Sequence, residues 1–231
     1  MTAAPVEARS LGKSFGRTLV LRDLDLTVEA GRGAAVIGAN GAGKSTLIRL
    51  LAGLSAPSSG TAMILGAPAR SLDSPIRRRL GLLTHQSFLY PNLTARENLE
   101  FYATIYGLPD RRAVAAQWLD RVGLSGEADV RVRGFSRGME QRLAVARAFL
   151  VWPDTLLLDE PFSALDADGV AMAAALIREA LNRRCAVVAT AHSPDAMEEM
   201  GFEVFVLDRG RLIRRETPSA RQAPARSARA G

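Results

Sequence analysis

The run GANGAGKST at Gly38 to Thr46 follows apolar AAVI at 34–37 and precedes LIRLLAGL at 47–54, giving the order strand, glycine loop, helix. It fits the phosphate-cradling pattern G-x-x-x-x-G-K-[ST]. A loop that opens a helix aims several backbone N–H groups at one point, where the helix dipole also favours negative charge. The loop Gly38, Ala39, Asn40, Gly41, Ala42, Gly43, Lys44, Ser45 and Thr46 is therefore the candidate nucleotide-binding set. Its glycines admit close backbone approach, Lys44 reaches the β- and γ-phosphates, and the Ser45 hydroxyl can ligate Mg²⁺. A random chain of this length would match the pattern in roughly one case in a hundred. Lysine is scarce here, Lys13 and Lys44 being the two in the chain.

At 231 residues the chain can bury a full core without staples. Its lone Cys185, in the strand-like run CAVVAT, reads as an inert buried thiol in a reducing compartment, and a reactive cysteine is the second reading. The opening MTAAPVEARS has no apolar secretory core, and stretches such as VAMAAALI at 170–177 fall short of the ~18 residues a membrane span needs. The expectation is a chain that does not cross a bilayer. The formal charge of +6 comes almost wholly from scattered arginine, so nucleic acid is not the expected partner. RRR at 77–79 reads as a solvated helix face. Residues 214–231, rich in Arg, Ala, Pro and Ser without periodicity, read as a disordered basic tail, with weak attraction to an anionic membrane as the alternative.

Short β-like pieces at 6–11, 18–24 and 25–30, punctuated by glycine, predict an N-terminal antiparallel sheet. Strands are expected at 61–65 and 80–85. From Leu93 to about Trp152 the spacing turns helical, with Thr94 and Glu97 set as a capping box and helices expected at 111–124 and 140–152. TLLLDE then returns as a buried parallel strand. A helix at 168–183, the strand CAVVAT, the helix SPDAMEEM and the strand EVFVLD complete an alternating α/β series.

TLLLDEP at 155–161 places Asp159 and Glu160 at the carboxyl end of that strand, the ligand-facing edge of a parallel sheet. Asp159 can hold the Mg²⁺ shell and Glu160 can polarise a water for attack on the γ-phosphate. Two acids capping a loop is the plainer alternative. GFSRGMEQRLAVARA at 134–148 starts small and polar and continues as a helix, so Ser136 and the Gly138 amide form a second helix start able to meet phosphate.

With these motifs in order, the chain resembles the ATP-binding subunits of ABC transporters over residues 6–213. FSRGME stands where that family carries its LSGGQ signature. Arg137 replaces the first signature glycine and Met139 the glutamine, while Ser136 and Gly138 are kept. The resemblance implies an ATPase with ATP and Mg²⁺ as ligands. It also implies a P-loop NTPase (RecA-like) α/β core with an N-terminal antiparallel β subdomain and a helical insertion at about 93–152, as one domain over 1–213. It assigns Gln86 to the Mg²⁺ or the attacking water, Asp166 in SALD to the opposite active site of a dimer, His192 to the γ-phosphate and Phe15 to adenine stacking. Mg²⁺ would then be held by Ser45, Gln86 and Asp159. Each nucleotide would lie between the 38–46 loop of one copy and Ser136, Arg137, Gly138 and Met139 of another, so a homodimer or paired ATPase subunit is implied. Integral membrane permease subunits would complete the transporter, with this subunit peripheral on the cytoplasmic face.

Within the family, GLLTHQSFLYPNLTARENLEFYATIYGL is most similar to the haem-exporter ATPase of cytochrome c maturation. Export ATPases for drugs, lipids or polysaccharides share the Leu-Thr and Glu-Asn-Leu pattern and are the alternative. His85 reads as structural or interfacial, with no direct haem ligation expected, and the apolar run at 88–90 reads as a contact for a permease or as buried packing. A soluble non-transport ABC ATPase would usually carry two cassettes or a coiled-coil insertion. A GTPase would need Asn-Lys-x-Asp, and no lysine follows Lys44.

Overall fold

The computed structural model describes residues 4–215. Strands β1 (Val6–Phe15) and β2 (Thr18–Val28) pair antiparallel and lead into β3 (Gly33–Ile37), after which the glycine loop opens α1 (Lys44–Leu51). Then come β4 (Ser59–Ile64), β5 (Ala67–Pro68), the short α2 (Ser74–Arg77) and β6 (Leu80–Leu83). Three helices follow: α3 (Ala95–Tyr106), α4 (Arg111–Arg121) and α5 (Arg137–Phe149). The chain continues through β7 (Thr155–Asp159), α6 (Ala167–Asn182), β8 (Ala186–Ala191), α7 (Asp195–Glu199), β9 (Glu203–Asp208) and β10 (Arg211–Arg214).

The strands form two sheets, a four-stranded antiparallel one ordered β2-β1-β4-β5 and a six-stranded one ordered β10-β9-β3-β8-β7-β6. In the larger sheet β9, β3, β8, β7 and β6 are parallel, and β10 closes one edge antiparallel. The carboxyl ends of β3, β7 and β8 therefore open on one edge, where ligands bind in such sheets. The central strands are buried on both faces and alternate between two cores. Leu156, Leu158 and Val187 face a core shared with Leu99, Trp118, Leu143 and Phe149 of the helices. Leu157 and Val188 face another, shared with Leu47, Ile48 and Leu51 of α1 and Leu26 and Val28 of β2. Each such apolar side chain removed from water contributes about 1.5–3 kcal/mol. The long crossover from β6 to its neighbour β7 carries all three middle helices, so α3 and α4 stand beyond α5.

The local rules show where elements begin. Thr94 Oγ1 accepts from the Glu97 amide at 3.1 Å while Glu97 accepts from the Thr94 amide at 2.8 Å, closing the capping box of α3. The structure differs from expectation in several places, beginning with the strand expected at 80–85, which ends at Leu83. The pieces expected at 18–24 and 25–30 are one strand: a bulge in β1 at Ser10 (φ 45°) absorbs the irregularity, and its amide donates to Asp25 Oδ1 at 2.8 Å. Helix α5 starts at Arg137, three residues before the expected 140, because Ser136 caps it. RRR at 77–79 is no helix face. Only Arg77 belongs to α2, and Arg79 pairs with Asp154 at 2.5 Å. Arg214, expected to open the tail, ends β10 instead, paired with Phe205 after a turn in which Arg209 (φ 46°) and Gly210 (φ 79°) take the left-handed conformations of a primed hairpin. The rest of the expected tail, 216–231, lies outside the described residues.

Cys185 is buried, and burial pushes its thiol up to about 12, which keeps it protonated and unreactive. Among the described residues no helix is long and apolar enough to cross a membrane.

Candidate functional site

The glycine loop is built against its neighbours. A Cβ at Gly38 would come within 2.6 Å of the Leu207 carbonyl of β9, and one at Gly43 (φ 109°) within 2.9 Å of Leu21 of β2. Both backbones pass too close to another element to carry a side chain. The Lys44 ammonium turns back across the loop and donates to the carbonyls of Gly38 at 2.7 Å and Ala39 at 3.2 Å. Lys44 is only 6% exposed, so a cation with no carboxylate partner among the described residues is held at the loop's centre.

The two carboxylates are fixed by one hydroxyl. Thr190 Oγ1, on the adjacent strand β8, donates to Asp159 Oδ1 at 2.6 Å and accepts from the Glu160 amide at 3.0 Å. Asp159 is buried, and its second oxygen is left to the cavity side, 3.8 Å from His85 Nε2. Glu160 leaves the strand with φ 54°, a conformation costly for a residue with a Cβ and of the kind found where function requires it. Its Oε1 lies 3.0 Å from His192 Nε2.

A cavity of about 550 Å³ is lined by Val20, Asn40, Gly41, Gly43, Lys44, Ser45, Thr46, His85, Glu160 and His192. Six loop residues, one acid of the pair and His192 are thus brought together as expected from their sequence order. The neighbouring cavity, of about 560 Å³, contains Asp159, His85, Thr84, Ser87, Arg137, Glu140 and Gln141. Other candidates lie apart. Gln86 is exposed and lines neither cavity, although the residues on both sides of it do. Phe15 is 56% exposed at the β1–β2 turn with the Lys13 ammonium 4.8 Å above its ring. Ser136, Gly138 and Met139 are absent from the loop's cavity, and Ser136 Oγ accepts from the Met139 amide as the cap of α5. Asp166 accepts from the Gly169 amide at 2.9 Å and from Arg142 at 2.6 Å. The Arg142 hydrogen bond holds its carboxyl below the usual carboxylate range.

Three residues take places about these cavities that the sequence alone does not show. Thr190 looked like one more residue of a buried strand. His85, expected to be structural or interfacial, lines both cavities. Arg147 falls within the helix expected at 140–152. It is buried, and burial lowers its pKa. It donates to the carbonyls of Leu82 at 2.5 Å and Ser87 at 3.1 Å and lies over the rings of Phe88 and Tyr102. Ser87 Oγ donates to Glu140 at 2.6 Å, and the Tyr102 hydroxyl to the Phe88 carbonyl. The 84–89 loop is thereby tied to α3 and α5.

Among the described residues no group of three or more His, Cys, Asp and Glu is disposed to hold a metal alone. One free carboxylate oxygen on Asp159 and the Ser45 hydroxyl are hard oxygen donors, and Mg²⁺ is typically held by one or two such groups completed by phosphate oxygens and water. The donor set fits Mg²⁺. Chemically, the cavity offers amides and an ammonium for phosphate, a carboxylate beside an imidazole for a water, and a metal-compatible edge between them.

The sequence model of the ABC transporter family matches residues 21–163. A Nod factor export ATP-binding protein I from Burkholderia orbicola (strain AU 1054) is 34% identical over 222 residues, 95% of this chain and 73% of the relative. The protein of the same name from Paraburkholderia xenovorans (strain LB400) is 33% identical over the same shares. An ATP-binding subunit of an ABC transporter superposes with a TM-score of 0.83 at 28% identity, over 90% of this chain and 88% of that one. A dimeric ATP-binding cassette in a post-hydrolysis state, bound to ADP and Pi, gives 0.83 at 27% identity, over 92% and 98%.

Proposed function

The chain belongs to the ABC transporter family and is an ATPase of the ATP-binding-cassette type, and on that premise we propose that it energises an exporter as a peripheral subunit. The observation that carries this reading is the convergence of Lys44, Ser45, Glu160 and His192 on one cavity. Loop amides and Lys44 hold the β- and γ-phosphates. Ser45 and Asp159 would hold Mg²⁺, which would supply charge neutralisation on the phosphate oxygens. Glu160, set by its left-handed backbone and its contact with His192, orients the attacking water.

The site is completed by a second copy. Within one chain Ser136, Gly138 and Met139 do not line the loop's cavity, and one of the similar cassettes described above is a dimer. ATP bound to one loop meets the Ser136 helix start of the twin, so nucleotide favours the closed pair by the contacts that exist only there. Asp166, already bonded to Gly169 and Arg142, serves this junction by fixing the 163–166 turn rather than by offering a free carboxylate.

Membrane partners dock on α3. Tyr90, Phe101 and Ile105 are exposed, and Tyr90 and Phe101 stack edge to face at 4.8 Å, an apolar surface suited to a permease segment at the cytoplasmic face. For the cargo, relatives named for Nod factor export favour the drug, lipid or polysaccharide class over haem. Lys44→Ala is the direct test: ATP hydrolysis should fall about a hundredfold or more, and undiminished turnover would overturn the assignment of the loop.

A further inference from the structure

The start of α5 carries Ser136 and Gly138, the groups that the twin's nucleotide meets in the reading above, and it is held from two sides. On one side lies the 160–166 stretch. A Cβ at Gly138 would come within 3.1 Å of the Ala164 carbonyl, Gln141 Nε2 donates to the Pro161 carbonyl at 3.4 Å, and Arg142 pairs with Asp166 at 2.6 Å. On the other side stands the 84–89 loop. Among the described residues, one side chain of that first turn bonds to it: Glu140, whose carboxylate accepts from Ser87 Oγ at 2.6 Å.

Ser87 is bound twice. Its hydroxyl donates to Glu140 while its carbonyl accepts from Arg147 Nε at 3.1 Å. Glu140 and Arg147 are seven residues apart on one face of the helix, so α5 grips the same loop residue from two points about 10 Å apart along its axis. The loop beyond is fixed to α3, where the Tyr102 hydroxyl donates to the Phe88 carbonyl and the Tyr90 amide to Asn98 Oδ1 at 2.8 Å. Arg147 acts two turns further along α5, which leaves Glu140 to tie the loop to the helix start. A first helical turn lacks intrahelical partners for its amides and frays readily, and a charge-assisted hydrogen bond, roughly twice as strong as a neutral one, restrains it.

We propose that Glu140 is a positioning residue: bonded to Ser87, it sets the first turn of α5 against the 84–89 loop and so presents Ser136 and Gly138 where the twin's nucleotide meets them. This rests on the two-copy reading above and adds to it the bond that holds the second half of the site in place. Glu140 acts through the helix start and not on the nucleotide, so its loss is felt in association and not in the filling of the Lys44 loop.

The test uses the full chain carrying Glu160→Gln, with light scattering at graded protein concentration in saturating ATP and Mg²⁺, before and after adding Ser87→Ala, Glu140→Ala, both together, or Glu140→Gln. Ser87→Ala and Glu140→Ala should each raise the concentration at which half the chain is dimeric about tenfold. The double variant should lose no more than Glu140→Ala alone. Glu140→Gln, whose side-chain carbonyl still accepts from Ser87, should stay within about threefold of the parent. ATP affinity of the dilute chain should be unchanged in all four, which separates a misplaced helix start from a damaged loop. Additive losses, or a loss in Glu140→Gln as large as in Glu140→Ala with none in Ser87→Ala, would show that the acid only supports its own helix and would overturn the proposal, as would an unaltered midpoint in every variant. If the Glu160→Gln parent stayed monomeric with ATP bound, the two-copy reading beneath it would fall as well.

Discussion

Thr190 shows how little separates a working edge of the sheet from an ordinary strand end. Its hydroxyl serves both acids at once, accepting from the Glu160 amide and donating to the buried Asp159. Thr190→Val keeps the shape and removes both bonds, leaving a buried carboxylate short of a partner. The expected cost is about 2 kcal/mol in urea unfolding, with turnover reduced because the Glu160 backbone loses its anchor; unchanged stability would mean the hydroxyl is not what fixes the pair. Lys44, Asp159 and Glu160 were legible in the sequence because a glycine loop and a strand ending in two acids each announce a place as well as a chemistry. The bonds of Thr190 to both acids and the place of His85 beside both cavities were not, since they come from strands β7 and β8 lying side by side and from a loop folding over them, neither of which is local in the chain.

At the scale of elements, the signals that act within one turn were readable and those that depend on pairing were not. The capping box of α3 is local, and Thr94→Ala should lower stability by about 1 kcal/mol, measured as a shift of the urea midpoint at constant slope; no shift would show that tertiary contacts alone set the helix start. The buried strand TLLLD is legible for the same reason, being apolar on both faces. The continuity of β2 depends on a bulge in the partner strand, and β10 depends on β9 accepting a mostly exposed RLIR segment as its edge. Arg147 is the sharpest case. In sequence it is one of several helix arginines, and only the approach of the 84–89 loop turns it into a buried tie between that loop and the middle helices.

For the whole molecule, the fold gathers one phosphate-binding edge and leaves the Ser136 helix start outside its cavity. The α/β class, the N-terminal antiparallel sheet and the helices between β6 and β7 all follow from patterns in the chain, while the layering into two cores becomes visible only when alternate residues of β7 and β8 face opposite ways. In the proposed reading, a site divided between two copies links nucleotide to association, and association to work on a membrane partner. The central claim is that ATP joins two copies of this chain until its γ-phosphate is cleaved. It is tested most directly by light scattering on the size-exclusion peak of Glu160→Gln with saturating ATP and Mg²⁺. The account predicts a dimer with ATP and a monomer with ADP; a monomer under both conditions, with ATP shown to be bound, would contradict it.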